Sequence, residues 1–213
     1  AISKWAIDQG GVVFGAAFGE DMELRHSYAE TLEDCKKFRG SKYVQSLIGD
    51  CYSLAKKILA QGRVVVFSGT PCQISGLYHF LRGRKYEGLV TVDLVCRGTP
   101  SPLLLRKYLS YHASLFGSKP VDYRSRDKYY GYNYSTASIW FDDKSKEYHK
   151  GKDSDMMLRF YFNDLCSRPS CYQCHFKTIN RISDITIFDC WDAPSVSPEF
   201  SAKGATNVFI HTE

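Results

Sequence analysis

The chain has 213 residues, 44% hydrophobic and 24% charged, and carries a net charge of +5. That is the composition of a packed globular protein of one domain, or one domain with an insertion, and it excludes disordered and fibrous classes. The charge is spread in short clusters such as Arg124-Ser125-Arg126-Asp127-Lys128, with no long basic tract, so no nucleic-acid partner is expected.

No stretch approaches the roughly 18 uninterrupted apolar residues of a membrane-spanning helix, and the first residues do not read as a signal peptide. The expected location is cytoplasmic. Eight cysteines, at 35, 51, 72, 96, 166, 171, 174 and 190, are too sparse for a small secreted disulfide scaffold and point to reduced thiols or thiolate ligands. The chain opens on Ala1 and closes on Glu213 directly after a strand-like run, which reads as a piece of something longer.

In chain order, Gly11 to Phe18 is a short apolar run between glycines and predicts a buried strand, with a hairpin partner over Glu23 to Tyr28. Val44, Leu47, Ile48, Cys51, Leu54, Ala55 and Ile58 have the spacing of one helical face, which predicts a helix from Val44 to Leu59 ended by Gly62. Cys51 on that face reads as core. Arg63 to Ser68 is β-branched and apolar enough to be buried on both sides of a parallel sheet. Gly69 ends it. Thr70, Pro71 and Gln73 then form a capping box that opens a helix through Leu81, with Cys72 in its first turn.

The pattern repeats. Leu89 to Val95 predicts a strand, Cys96 to Pro100 a turn, and Ser101-Pro102 the cap of a helix whose inner face is Leu105, Tyr108, Leu109, His112, Leu115 and Phe116. Strand–helix–strand–helix predicts a parallel or mixed α/β sheet flanked by helices, with both cysteine-bearing turns at its carboxyl edge, where ligands of open α/β sheets bind. From about 121 to 150 the text changes to Tyr- and Ser-rich strand-like pieces, a small β insertion. Asp153 to Leu165 predicts a helix, 166–174 a cysteine-containing loop, and Asp184 to Asp189 and Thr206 to Ile210 two closing strands. The expected organisation is a single α/β domain over 1–213.

Cys171 and Cys174 form a C-x-x-C pair, the spacing at which two thiolates on one turn bind the same metal centre. Cys72 and Cys96, each following a parallel strand, are the candidates to complete a four-thiolate set. A thiolate in a helix's first turn is favoured by the free N–H groups there. Four such sulfurs suit an iron–sulfur cluster or a structural zinc ion on a scaffold or interaction domain without redox activity. A third reading makes Cys72 a nucleophile with His79 or His175 as base, but seven helical residues put His79 roughly 10 Å away.

The runs Phe67-Ser68-Gly69-Thr70-Pro71-Cys72-Gln73, Asp93-Leu94-Val95-Cys96-Arg97-Gly98-Thr99-Pro100-Ser101, Arg126-Asp127-Lys128 and Cys171-Tyr172-Gln173-Cys174 resemble the coenzyme F-420 hydrogenase/dehydrogenase beta-subunit family. So do Arg39 to Ser46 and Ser183 to Asp189. The resemblance implies an oxidoreductase, an electron-transfer subunit with FAD and a 4Fe-4S cluster on Cys72, Cys96, Cys171 and Cys174. It also implies a flavin-lining segment of Gly40, Ser41, Lys42, Tyr43, Gln45 and Ser46, with Lys42 meeting phosphate. The partners implied are a redox carrier such as a deazaflavin or ferredoxin, and a ferredoxin-like module or partner subunit. Phe188 and Cys190 depart from the glycine and aromatic that relatives tend to show there.

Overall fold

The computed structural model describes residues 1–192 and 204–212. Its main sheet is built from six strands: β1 (Val12–Phe18), β2 (Leu24–Ala29), β3 (Val65–Gly69), β4 (Leu89–Leu94), β8 (Ile185–Asp189) and β9 (Thr206–Ile210). They lie in the order β2-β1-β3-β4-β8-β9. The inner four run parallel, and β2 and β9 close the two edges antiparallel. This is the mixed α/β sheet expected.

The alternation of a strand's side chains sorts the core into two layers. Val12, Phe14, Val65 and Phe67 meet α2 (Cys51–Ala60) and α3 (Pro71–Phe80) through Ala55, Ile58, Ile74 and Leu77. Val13, Val66 and Val92 face the opposite side, against Ala6 of α1 (Ile2–Asp8). Reciprocal threonine–aspartate bonds fasten β4 to β8: Thr91 Oγ1 donates to Asp184 at 2.7 Å and Thr186 Oγ1 to Asp93 at 2.5 Å.

The insertion is a three-stranded antiparallel sheet of β5 (Pro120–Asp127), β6 (Thr136–Phe141) and β7 (Glu147–Gly151). Its inner face, Tyr123, Ala137, Ile139 and Phe141, covers Leu105, Tyr108 and Leu109 of α4 (Pro102–Phe116) and Met157 and Leu158 of α5 (Met156–Phe162). Leu24 and Val44 from the main sheet's side join the same core. Leu115, expected on the inner face of α4, is 63% exposed. Among the described residues, no helix is long and apolar enough to cross a membrane.

Two elements differ from expectation. The helix predicted from Val44 begins only at Cys51. Over 44–48 the chain is extended beside β2, with Leu47 N bonded to Leu24 O and Gln45 N to Pro100 O. Gly49, at φ +53°, turns it into the helix. Inside the 166–174 loop a single helical turn, α6 (Pro169–Tyr172), starts on a proline whose fixed φ suits that position. The sequence pattern did not pick out α1.

Candidate functional site

Cys72 is carried by the first turn of α3. β3 ends at Gly69, and the capping box forms, with Thr70 N donating to Gln73 Oε1 at 2.9 Å. Cys72 is exposed, its Sγ 3.2 Å from Thr70 Oγ1. Cys96 lies on the neighbouring strand's exit, between the end of β4 and the Ser101 cap of α4, where Ser101 Oγ accepts from Leu103 N at 3.1 Å. Both turns open at the carboxyl edge of the sheet, as the strand–helix order requires.

The C-x-x-C segment is stapled onto the Cys96 turn. Arg168 N donates to Thr99 O at 3.1 Å, Pro100 and Ser167 form an antiparallel bridge, and Thr99 Oγ1 lies 3.9 Å from Cys171 Sγ. Two arginines brace it. Arg97 reaches Phe162 O at 2.7 Å and Asp164 at 2.8 Å, and Arg181 reaches Phe176 O at 2.9 Å while facing Asp93 at 3.7 Å. Gly98 makes the approach feasible: a Cβ there would come within 2.4 Å of Ser167 Oγ and 3.5 Å of Cys171 Cβ.

The result is one cavity of about 580 Å³ whose lining includes Cys72, Cys96, Cys171 and Cys174. Burial, reinforced by the Cys72, Cys171 and Cys174 thiolates around it, pushes the Cys96 thiol up to about 11. Arg168, His175 and Lys177 line the same cavity and no described carboxylate does, so its walls favour an anionic occupant. Among the described residues, no group of three or more His, Cys, Asp or Glu side chains is drawn together tightly enough to hold a metal ion. The four thiols share a cavity but do not close on a point.

The remaining cysteines lie elsewhere. Cys51 is buried in the α2–α3 core, as expected, and Cys35 packs against the other face of the sheet. Cys166 and Cys190 are half-buried and outside the cavity lining. His79 spends Nδ1 on Ser75 O, 2.8 Å away in its own helix, which gives no support to a Cys72–His79 pair.

The Gly40–Ser46 segment meets the two cysteine turns at Gln45 and Ser46 and is used internally. Lys42 Nζ donates to Phe38 O, Arg39 O and Gly40 O at 3.2, 2.9 and 3.1 Å, so its ammonium closes a loop where a phosphate was expected. Tyr43 stacks on Tyr161 at 4.2 Å, and its N–H donates to Ser125 Oγ at 3.1 Å. Gln45 N bonds Pro100 O, next to the Cys96 turn, and Ser46 Oγ bonds His26 and Gln73. Gly40, at φ +82° with open space where a Cβ would stand, and the exposed Ser41 are the accessible part. His26, a polar residue in a hairpin strand, carried no signal in the sequence.

Burial pushes the Lys42 ammonium down to about 8 from its ordinary 10.5. Between those values the folded chain has released a proton that the unfolded chain still holds, so stability rises with pH across that window. Between pH 8 and pH 10 the urea midpoint of the wild type should therefore rise relative to that of Lys42→Met. Cysteines and tyrosines with raised pKa work in the opposite direction but act equally in both proteins. An identical pH response would mean that burial does not lower the Lys42 pKa.

Four thiols thus line one basic cavity at the carboxyl edge of an α/β sheet. The family model for the C terminus of the coenzyme F420 hydrogenase/dehydrogenase beta subunit matches residues 62–213, and the chain belongs to that family. A chain of the xenon-derivatised F420-reducing NiFe hydrogenase complex from Methanosarcina barkeri shares the fold with a TM-score of 0.54 at 19% identity over 85% of this chain. This chain spans 59% of the length of that one. No curated protein matches.

Proposed function

We propose that the chain is a flavin and iron–sulfur electron-transfer subunit in which Cys72, Cys96, Cys171 and Cys174 hold a four-iron cluster, passing electrons between a soluble carrier and that cluster. The observation that carries this reading is the shared cavity of the four thiols. A 4Fe-4S core supplies one-electron transfer when bound. Four thiolates around a single zinc would lie about 3.8 Å apart, from a Zn–S bond of about 2.3 Å. A cube of iron and sulfide takes its thiolates at a wider spread, and a cavity of about 580 Å³ has room for it.

The chain's own residues do three things there. The sheet edge and the Arg97 and Arg181 braces hold the thiols in place before anything binds, which lowers the ordering cost. Arg168, His175 and Lys177 offset the negative charge that four thiolates bring. Gly40 and Ser41 offer accessible backbone for the FAD proposed beside the cluster. Lys42 is not counted as a phosphate partner, because its ammonium is already bonded to three carbonyls. The core shared by the two sheets through Leu24 and Val44 supports one α/β domain. A redox carrier such as a deazaflavin or ferredoxin, and a partner subunit, follow from the same reading.

Expressed anaerobically with iron, the protein should be brown, with broad absorbance near about 400 nm that bleaches on reduction. A colourless, iron-free protein would sink the proposal. Gly98→Ala offers a finer test, since its methyl displaces Ser167 and the segment bearing Cys171. Its iron content should drop to less than about half that of the wild type, with the fold kept, because the cost falls on bringing the ligands together. Undiminished iron would show that the staple is dispensable.

A further inference from the structure

His26 lies on β2 and is 7% exposed, its ring stacked on Phe67 at 5.6 Å. Nε2 lies 3.0 Å from Ser68 O, a carbonyl that can only accept, so Nε2 carries the ring proton. In the neutral ring Nδ1 then accepts from Ser46 Oγ–H at 2.9 Å. The lone pairs of Ser46 Oγ are in turn met by Gln73 Nε2–H at 2.9 Å, and the other end of that amide, Oε1, accepts from Thr70 N. Every donor in this chain has one acceptor and the direction of each bond is forced. Burial lowers the His26 pKa, which keeps the ring in the neutral form the chain needs. Gly69 leaves the room: a Cβ there would come within 3.2 Å of Gln73 and 3.6 Å of His26 Nε2.

Neighbouring members of this chain of bonds belong to the two parts of the proposed site, and His26 anchors the first of them. Ser46 closes the Gly40–Ser46 segment, and Gln73 and Thr70 form the capping box that sets the first turn of α3, where Cys72 stands. We propose that His26 is a positioning residue that couples the Gly40–Ser46 segment to the Cys72 turn through Ser46 and Gln73, so that filling one changes the order of the other. The identity of the two occupants rests on the function proposed above; the coupling itself does not. The link from the same segment to the Cys96 turn is of another kind, a backbone bond from Gln45 N to Pro100 O that no side-chain change removes.

Amide hydrogen exchange on the full chain tests this. Ser46→Ala removes one oxygen and His26→Phe keeps the ring's shape. Both should speed exchange at Thr70 and Gln73 by about fivefold, the effect of a lost cap bond, while the first turn of α4 keeps its wild-type rates. Added FAD should protect residues 40–46 and Thr70–Gln73 together in the wild type, but only 40–46 in Ser46→Ala. Unchanged Thr70 and Gln73 rates in both variants, or an equal rise throughout α4, would overturn the coupling. If FAD protects nothing in the wild type, the flavin reading fails and the coupling is judged on the variants alone. If His26→Phe does not fold, Ser46→Ala decides.

Discussion

Cys72→Ser and Cys96→Ser are each expected to yield a colourless protein that retains no stoichiometric iron. A serine hydroxyl is a hard donor that stays protonated where a thiol ionises, so it does not replace a soft thiolate. Cys72 is exposed and contributes nothing to the core, so its loss should change folding stability by no more than about 0.5 kcal/mol. Cys51→Ser should behave in the reverse way. That cysteine is buried among Ala55, Ile58 and Phe67, so its replacement should cost about 1–2 kcal/mol and leave the colour intact. Iron content and a urea midpoint on each variant separate the two classes. Colour surviving in Cys72→Ser would remove this residue from the ligand set.

Asp155→Ala should be the most damaging change away from the cysteines. The carboxylate is fully buried and accepts from Tyr108 OH at 2.7 Å, Tyr148 OH at 2.9 Å and Leu158 N at 2.7 Å. It thereby caps α5 and ties it to α4 and β7. Burial, with the Asp155 charge added, raises both phenols well above the ordinary tyrosine range, so they stay protonated and donating. Removing the acceptor strands two phenolic hydroxyls and one amide in the core, at a cost of about 3–5 kcal/mol. For a chain of this size that lowers the thermal midpoint by roughly 10–15 °C. Asp155→Asn, which keeps one acceptor, should lose less. A fall of under about 1 kcal/mol for the alanine variant would mean that water replaces the carboxylate.

The parallel core was legible because each strand exit carries its own punctuation. Val64 to Val66 is too short and too branched for a helix, and Thr70-Pro71-Cys72-Gln73 announces both the helix and the place of the cysteine. The β insertion showed in the shift to strand-like pieces rich in Tyr and Ser. Val44 to Ile48 misled because its apolar spacing fits a helix, whereas its backbone bonds go to Leu24 and Pro100, residues that no local window contains.

The same limit governs the site. The C-x-x-C spacing and the two strand exits picked out four cysteines, and their meeting in one cavity depends on β8 pairing with β4 and on Gly98 admitting the loop. Lys42 looked available for phosphate because a sequence shows a charge and not its partners. His26 and Arg97 hold the site through bonds to residues 20 and 67 positions away, and no local window shows those partners.

Iron and acid-labile sulfide, counted per chain on protein purified without oxygen, test the account most directly. It predicts about four of each with negligible zinc. One zinc per chain with no sulfide would contradict it.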